Sequence, residues 1–368
     1  MSTKTLRSIA SVIGCLLLIA GVAGAETVEE GHWINLFDGE TMFGWNVLGD
    51  AEFGVEDGRL TSLGGVGGWA ATTNRFKDFE LEARVRVAPG TSSGLAVRAD
   101  LEQHPLEGGA VLWLFEPDDA TPSWKDVRIV AQGDVVTVEV DGEPLEEFDA
   151  ENVRGHIGVF QHRGGKVEVE HMRLRPRNLS PIFNGEDLTG WNIIPNRESD
   201  FFVEDGLLRV LDGPGQIETD AVYQNLLIQL EVYSDGEHLN SGVFFRGPKE
   251  VFWRGYEAQI RNQWEGDDRT RPVDYGTGGI YAVQPAREVV SSDYEWFTMT
   301  IVCDENQISV WVDDYLVADF TDTRPVNADG DAKAGFVPVP GTIHLQGHDP
   351  ATDLSFRGIN IQEYPDTK

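Results

Sequence analysis

Cysteine is almost missing from this 368-residue chain, which has only Cys15 and Cys303. Residues 1–25 have the layout of a secretory signal peptide: Lys4 and Arg7, an apolar run from Ile9 to Ala20, then Ala23-Gly24-Ala25. Removing that segment leaves Cys303 alone, so an intrachain disulfide is excluded even though an exported protein, periplasmic or secreted, meets an oxidising compartment. Cys303 follows the apolar run Met299 to Val302 and reads as a buried small hydrophobe. Positive charge is scarce too, with 29 basic against 62 acidic residues and a net charge of -33. Repulsion on that scale argues against nucleic acid or anionic membranes as partners. Beyond the N-terminal run, nothing approaches the roughly 20 apolar residues of a membrane helix, so no membrane span is expected. There is no His-Glu-x-x-His, no Gly-x-Ser-x-Gly and no P-loop, and the acidic pairs Asp267-Asp268 and Asp304-Glu305 lack EF-hand spacing. No metal and no cofactor are therefore expected. Oligomeric state is left open by the sequence.

What the chain does have is an internal repeat. Leu36-Phe37-Asp38-Gly39 with Gly44-Trp45-Asn46 returns as Ile182-Phe183-Asn184-Gly185 with Gly190-Trp191-Asn192, and Ser93 to Arg98 returns as Ser241 to Arg246. A period this long marks duplicated domains rather than a solenoid. The offset between copies grows from 148 at Arg98/Arg246 to 172 at Trp124/Trp296, so the second copy holds 24 extra residues between Arg246 and Trp296. The expected organisation is a degenerate, non-catalytic β-sandwich over 26–176 and a chemically equipped one over 181–366. Period-two alternation at Phe79–Val87, Val135–Val140, Leu226–Tyr233, Gln307–Val312 and Leu354–Ile361, with no helical periodicity, predicts an all-β protein. Two-sheet sandwiches or jelly rolls suit many short strands punctuated by turns. Trp45 and Trp191, present in both copies, read as core anchors.

Alternation also places chemistry. Glu257 and Gln259 share one strand face, opposite Tyr256, Ala258 and Ile260; His344, Gln346 and His348 share another, opposite Ile343 and Leu345. Aligned polar side chains are unusual on a sandwich strand and suggest a sheet face that holds a polar ligand. The first copy has Gly158 and Phe160 where the second has His344 and Gln346, and its strand around Gly109 to Phe115 carries no carboxylate. The added segment is read as bringing Arg254, Glu257, Gln259, Trp264, Asp274 and Tyr281. Trp253, Trp264 and Trp311 are candidates for stacking on a sugar ring.

Five landmarks in order, Phe183-Asn-Gly-x-x-Leu-x-Gly-Trp191, Asn240-Ser-Gly-Val-Phe-Phe-Arg-Gly247, Gly255-Tyr-Glu-x-Gln-Ile260, Thr277-Gly-Gly-Ile-Tyr281 and Leu345-Gln-Gly-His348, make the second copy resemble the 3-keto-disaccharide hydrolase domain family. The first copy resembles it only in its opening and framework strands. Arg261-Asn262 departs from the family pattern after Ile260, as does His344, where a small residue is common. The resemblance implies two tandem concanavalin A-like jelly-roll β-sandwiches and an oligosaccharide or keto-glycoside as ligand. It implies cleavage of sugars carrying a C3 ketone, which acidifies the C2 hydrogen so that a base can start an elimination. On that reading Glu257 is the base, His348 the acid and Arg246 the enolate stabiliser, while Asn240, Gln259, Tyr281, His344, Gln346 and Trp264 bind substrate. A free carboxylate is a mild base unless burial raises its pKa. The alternative is a carbohydrate-binding protein without catalysis, since sandwiches serve both ends.

Overall fold

The computed structural model describes residues 30–101, 110–115, 121–150 and 152–365; the segment read as a signal peptide lies outside them. Among the described residues there is no helix, and the strands form four antiparallel sheets, two per copy. The smaller sheet of the first copy contains β1 (Trp45–Gly49), β2 (Gly67–Phe76), β3 (Ser92–Ala99), β4 (Ala110–Phe115) and β5 (Gly155–His162), in the order β1-β2-β5-β3-β4. The second copy repeats this with β6 (Trp191–Ile193), β7 (Gly215–Thr219), β8 (Ser241–Gly247), β9 (Tyr256–Ile260) and β10 (Thr342–Gly347), in the order β6-β7-β10-β8-β9. An eight-stranded sheet backs each, one ending at Pro176 and the other beginning at Ser180. Each half is thus a concanavalin A-like sandwich of two antiparallel sheets.

Local sequence explains the strands. Phe79–Val87 alternates inward Leu81, Ala83 and Val85 with outward Glu82, Arg84 and Arg86, so burying one apolar face leaves charge on the other. Asp57-Gly58 and Asp205-Gly206 both have positive φ, the backbone that a two-residue hairpin turn demands and that Gly adopts without strain. Trp45 and Trp191 are buried, and each donates its indole N–H to a carbonyl nine residues upstream, Leu36 O at 2.7 Å and Ile182 O at 2.8 Å. A ring that closes the opening segment onto the sandwich explains why both copies keep it.

The two halves are packed together. Trp311, Leu316, Val302, Leu227 and Tyr364 of the second copy join the first copy's hydrophobic core. Trp311 lies 6.4 Å from Phe76 between ring centroids and donates to Asn35 O at 3.0 Å. Asp304 is buried between Arg75 (2.6 Å) and Arg154 (3.1 Å), and Asn74 donates to Ser309 Oγ at 2.7 Å. One expectation changes here. Trp311 is a buried interface residue and offers no platform to a sugar. Cys303 is buried as expected, and burial pushes its thiol up to about 11.

Candidate functional site

In the second copy, β7, β10, β8 and β9 lie side by side, and their non-core side chains form two rows across the smaller sheet. One row is Glu257, Phe244, His344 and Glu218, fixed by the pairs Phe244↔Glu257, Phe244↔His344 and Glu218↔His344. The other is Gln259, Gly242, Gln346 and Gln216. Opposite side chains, including Val243, Phe245, Tyr256, Ala258, Ile343 and Leu345, point into the sandwich core. Period-two geometry therefore separates a greasy face from a polar one on the same four strands.

The polar face is buried beneath loops. Gln216 Oε1 accepts from Trp253 N at 2.7 Å, and the Glu218 carboxylate accepts from Glu250 N at 2.9 Å. Thr342 Oγ1 lies 2.9 Å from Glu218 Oε2, 3.1 Å from Gly247 O and 2.6 Å from His344 Nε2, and His344 Nδ1 lies 3.4 Å from Gln216 Oε1. Burial lowers the His344 imidazole to about 4, which keeps it neutral. Together these side chains pin the 248–254 loop over the sheet.

Glu257 is 5% exposed. Burial pushes its carboxyl up to about 8; the Lys333 ammonium and a hydrogen bond from the Trp253 indole oppose the rise, and Asp274 adds to it. Gly242 makes room for that carboxyl, because a Cβ there would sit 2.5 Å from Glu257 Oε1. Next to Glu257, Asp274 Oδ2 accepts from Asn240 Nδ2 (3.0 Å) and Gln259 Nε2 (3.1 Å). Asn240 Nδ2 also stands 3.3 Å from His348 Nε2, and His348 Nδ1 is 2.9 Å from Asp349 Oδ2. The His348 side chain is 42% exposed. Trp253, Tyr281 and Tyr275 form an aromatic wall, with ring centroids 6.4 and 5.2 Å apart. Asp274, Tyr275 and Trp253 all have left-handed φ, as do turn residues in both copies.

Three buried amide atoms on this face lack a protein partner: Gln216 Nε2, Gln259 Oε1 and Gln346 Oε1. A buried amide atom left unpaired costs on the order of 1–3 kcal/mol. One donor and two acceptors on a single face match the hydroxyls of a sugar ring.

The structure thus brings together Asn240, Glu257, Gln259, Tyr281, His344, Gln346 and His348. It does not bring Arg246 to them. The Arg246 guanidinium is fully buried and donates to Gln224 O (2.8 Å), Val337 O (2.9 Å) and Asn225 Oδ1 (3.0 Å). Arg98 in the first copy does the same with Lys77 O and Gly133 O, at nearly the same left-handed φ. An arginine that recurs in the copy without the polar face, bonded there to the equivalent carbonyl (Lys77 O for Gln224 O) and side-chain oxygen (Asp78 Oδ1 for Asn225 Oδ1), ties loops to the frame. Trp264 is likewise set apart: it stacks under Arg269 at 4.1 Å, and Arg269 is tied to Val289 O, Val290 O and Ser291 O.

The position of the added segment also needs correcting. Gly242↔Gln259 and Gly94↔Trp113 are equivalent pairs, so the strand carrying Glu257 is common to both copies. The extra length follows it, with 37 residues from Gln259 to Trp296 against 11 from Trp113 to Trp124. That segment supplies Asp274, Tyr275 and Tyr281. Gln216, Glu218 and Lys333 went unnoticed in the sequence; the alternation Gln216-Ile217-Glu218, where the first copy has Trp69-Ala70-Ala71, was the available signal for the first two. Among the described residues, no group of three or more His, Cys, Asp or Glu is arranged to hold a metal.

The domain family described as 3-keto-alpha-glucoside-1,2-lyase-like matches the chain twice, over residues 32–175 and 178–362. The chain belongs to this family, as two tandem members. Among solved structures, it is similar to a provisionally assigned glycosyl hydrolase from Parabacteroides distasonis ATCC 8503, with 23% identity over 50% of this chain and 99% of that one (TM-score 0.42). A second protein of that description from the same organism shares 24% over 50% and 84% (TM-score 0.40). Carbohydrate binding module CBM66 from Bacillus subtilis shares 14% over 47% and 96% (TM-score 0.35). No curated protein matches the chain in sequence.

Proposed function

We propose that the protein is an exported glycoside-processing enzyme whose second copy cleaves 3-keto-glycosides. The observation that carries the reading is Glu257, a nearly buried carboxyl raised to about 8 beside three unpartnered amide atoms. A free carboxylate is too weak a base for a carbon acid, and burial removes that objection. In its ionised form Glu257 takes the proton from C2, and the C–H electron pair becomes the C2=C3 bond of an enolate whose charge sits on the C3 oxygen. That charge then returns to re-form the C3 carbonyl, the electron pair moves to C1=C2, and the C1–O bond breaks. His348, as the imidazolium with its Nδ1–H held by Asp349, gives the departing oxygen the proton on Nε2 and is left neutral. Water adding across C1=C2 yields the free 3-keto sugar. Gln216, Gln259 and Gln346 orient ring hydroxyls, and Asn240 holds Asp274.

The test is release of a chromogenic group from a 3-keto-glucoside, beside the unoxidised glucoside, by wild type and Glu257→Gln. Release from the keto form alone, lost in the variant, supports the proposal. Release from the unoxidised sugar points instead to ordinary hydrolysis, with Asp274 as the second carboxylate. Glycan binding with release from neither sugar makes the protein a carbohydrate binder.

A further inference from the structure

With Arg246 committed to the frame, the enolate of the proposed reaction lacks its positive partner. Lys333 is the cation that acts on Glu257. It sits in the loop before β10. Its backbone N–H is held by Asp331 Oδ1 (3.1 Å), while Nζ donates to Trp253 O (3.0 Å) and pairs with Asp331 Oδ1 (3.3 Å). The ammonium also lies 4.4 Å from the centroid of the Trp253 ring, the ring whose indole N–H reaches Glu257. An ammonium has three protons; carbonyl and carboxylate take two, and among the described residues the third has no oxygen partner. The loop carrying Lys333 is tied to the Trp253 loop by Gly255 N→Gly330 O at 2.7 Å, and the Trp253 loop is tied to the sheet by Gln216 and Glu218.

We infer that Lys333, fixed over Trp253, is the cationic partner of the anion formed above Glu257 and stabilises the oxyanion of the enolate; this rests on the keto-glycoside reading. The other charged or titratable groups around Glu257 are Asp274 and Tyr281 from the added segment, His348 joined to Asp274 through Asn240, His344 and Glu218 in its own row, and Asp331 with Arg254, which share the carboxylate and carbonyl that hold Lys333. Of the charges that act on the Glu257 carboxyl, Lys333 is the cation and Asp274 the anion, while His348 serves the leaving oxygen. The His344 imidazole is neutral, and Arg254 Nη1 is spent on Trp253 O at 3.2 Å and faces Asp331 at 3.8 Å.

The experiment compares wild type, Lys333→Met and Lys333→Arg on 4-nitrophenyl 3-keto-glucoside across pH, with thermal melts alongside. Lys333→Met should lower kcat about 10²-fold, the loss typical of one oxyanion donor, with KM moving much less. The acid limb of its kcat/KM profile should move to higher pH, because the charge that favours ionised Glu257 is gone. Lys333→Arg should recover part of the rate and return the limb toward its wild-type position. Unchanged kcat in Lys333→Met, a loss confined to KM, or equal losses in both variants with an unmoved acid limb would overturn the inference. A wild type inactive on the keto sugar refutes the proposed function instead. The charge pairing is then read by isotope-edited infrared titration of the Glu257 carboxyl, identified by its absence in Glu257→Gln. A midpoint that rises in Lys333→Met keeps Lys333 as partner of Glu257, and an unmoved midpoint removes it.

Discussion

The two smaller sheets have the same strand order and the same pairing, yet opposite surfaces. Where the second copy has Gln259, Gly242, Gln346 and Gln216 in one row, the first has Trp113, Gly94, Phe160 and Trp69. Where the second has Glu257, Phe244, His344 and Glu218, the first has Val111, Ala96, Gly158 and Ala71. The aromatic rings pack on one another, with Trp113 and Phe160 4.7 Å apart, and Gly158 is needed because a Cβ there would lie 2.3 Å from the Trp69 ring. One backbone lattice therefore carries either a self-filled apolar face or a polar face with unpaired amides. The difference lies in the side chains and in the segment after β9, while the framework is indifferent.

The comparison is broken most severely by moving the first copy's residues across. Gln259→Trp with Gln346→Phe should remove two acceptors and fill the face, lowering kcat/KM by at least about 10³-fold in the chromogenic assay while the fold melts cooperatively. The shared arginines provide the next contrast. Arg98→Met and Arg246→Met each strand several buried carbonyls and should cost about 3–5 kcal/mol in denaturant unfolding. Selective loss of turnover in Arg246→Met, with stability intact, would return that residue to the site. Smaller again is the paired glycine test. In Gly94→Ala the new methyl meets the Leu112 carbonyl oxygen at 1.9 Å, a backbone clash worth about 1–3 kcal/mol of stability. In Gly242→Ala it meets the Glu257 side chain from Cγ (2.7 Å) to Oε1 (2.5 Å), a side chain rather than backbone, so Glu257 is displaced and turnover should fall with a smaller loss of stability than in Gly94→Ala.

The gentlest test is pH. Because the folded-state pKa of Glu257, about 8, lies above its ordinary 4.5, the stability that its protonated form contributes is complete below about 4.5 and is lost as pH rises through 8. Glu257→Gln should match wild type near pH 4.5 and melt higher than wild type at pH 9. His344 and His156 run the other way. Burial holds both near 4, so each costs stability as pH falls from about 6.5 toward 4, and melting on the acid side should decline in both halves.

Much of this was legible in the sequence, for identifiable reasons. Period-two alternation put Glu257 with Gln259 and His344 with Gln346 on shared faces, and the strands at Phe79–Val87, Val135–Val140 and Gln307–Val312 have the bounds read from pattern. The duplicate served as a control for Trp45 and Trp191, and the same control, applied to Arg98, already argued against a chemical role for Arg246. Trp311 misled because its first-copy counterpart is Glu139, which made a second-copy tryptophan look functional. Its uniqueness comes from covering Phe76 of the other half, a contact between distant segments that no local pattern reveals. Lys333, Asp274 and Trp253 reach Glu257 from three loops, and loop closure leaves no periodic trace.

Asp304, gripped from the other half by Arg75 and Arg154, has a consequence for anyone dissecting this chain. A fragment starting near residue 178 would carry a buried carboxylate stripped of both counter-ions, beside a bare patch of Trp311, Leu316, Val302 and Leu227. Such a fragment would be sticky and poorly soluble, and its silence in an assay would report lost packing rather than missing chemistry. The first half covers that patch and neutralises that carboxylate, so expressing the two as one piece should give the better-behaved protein.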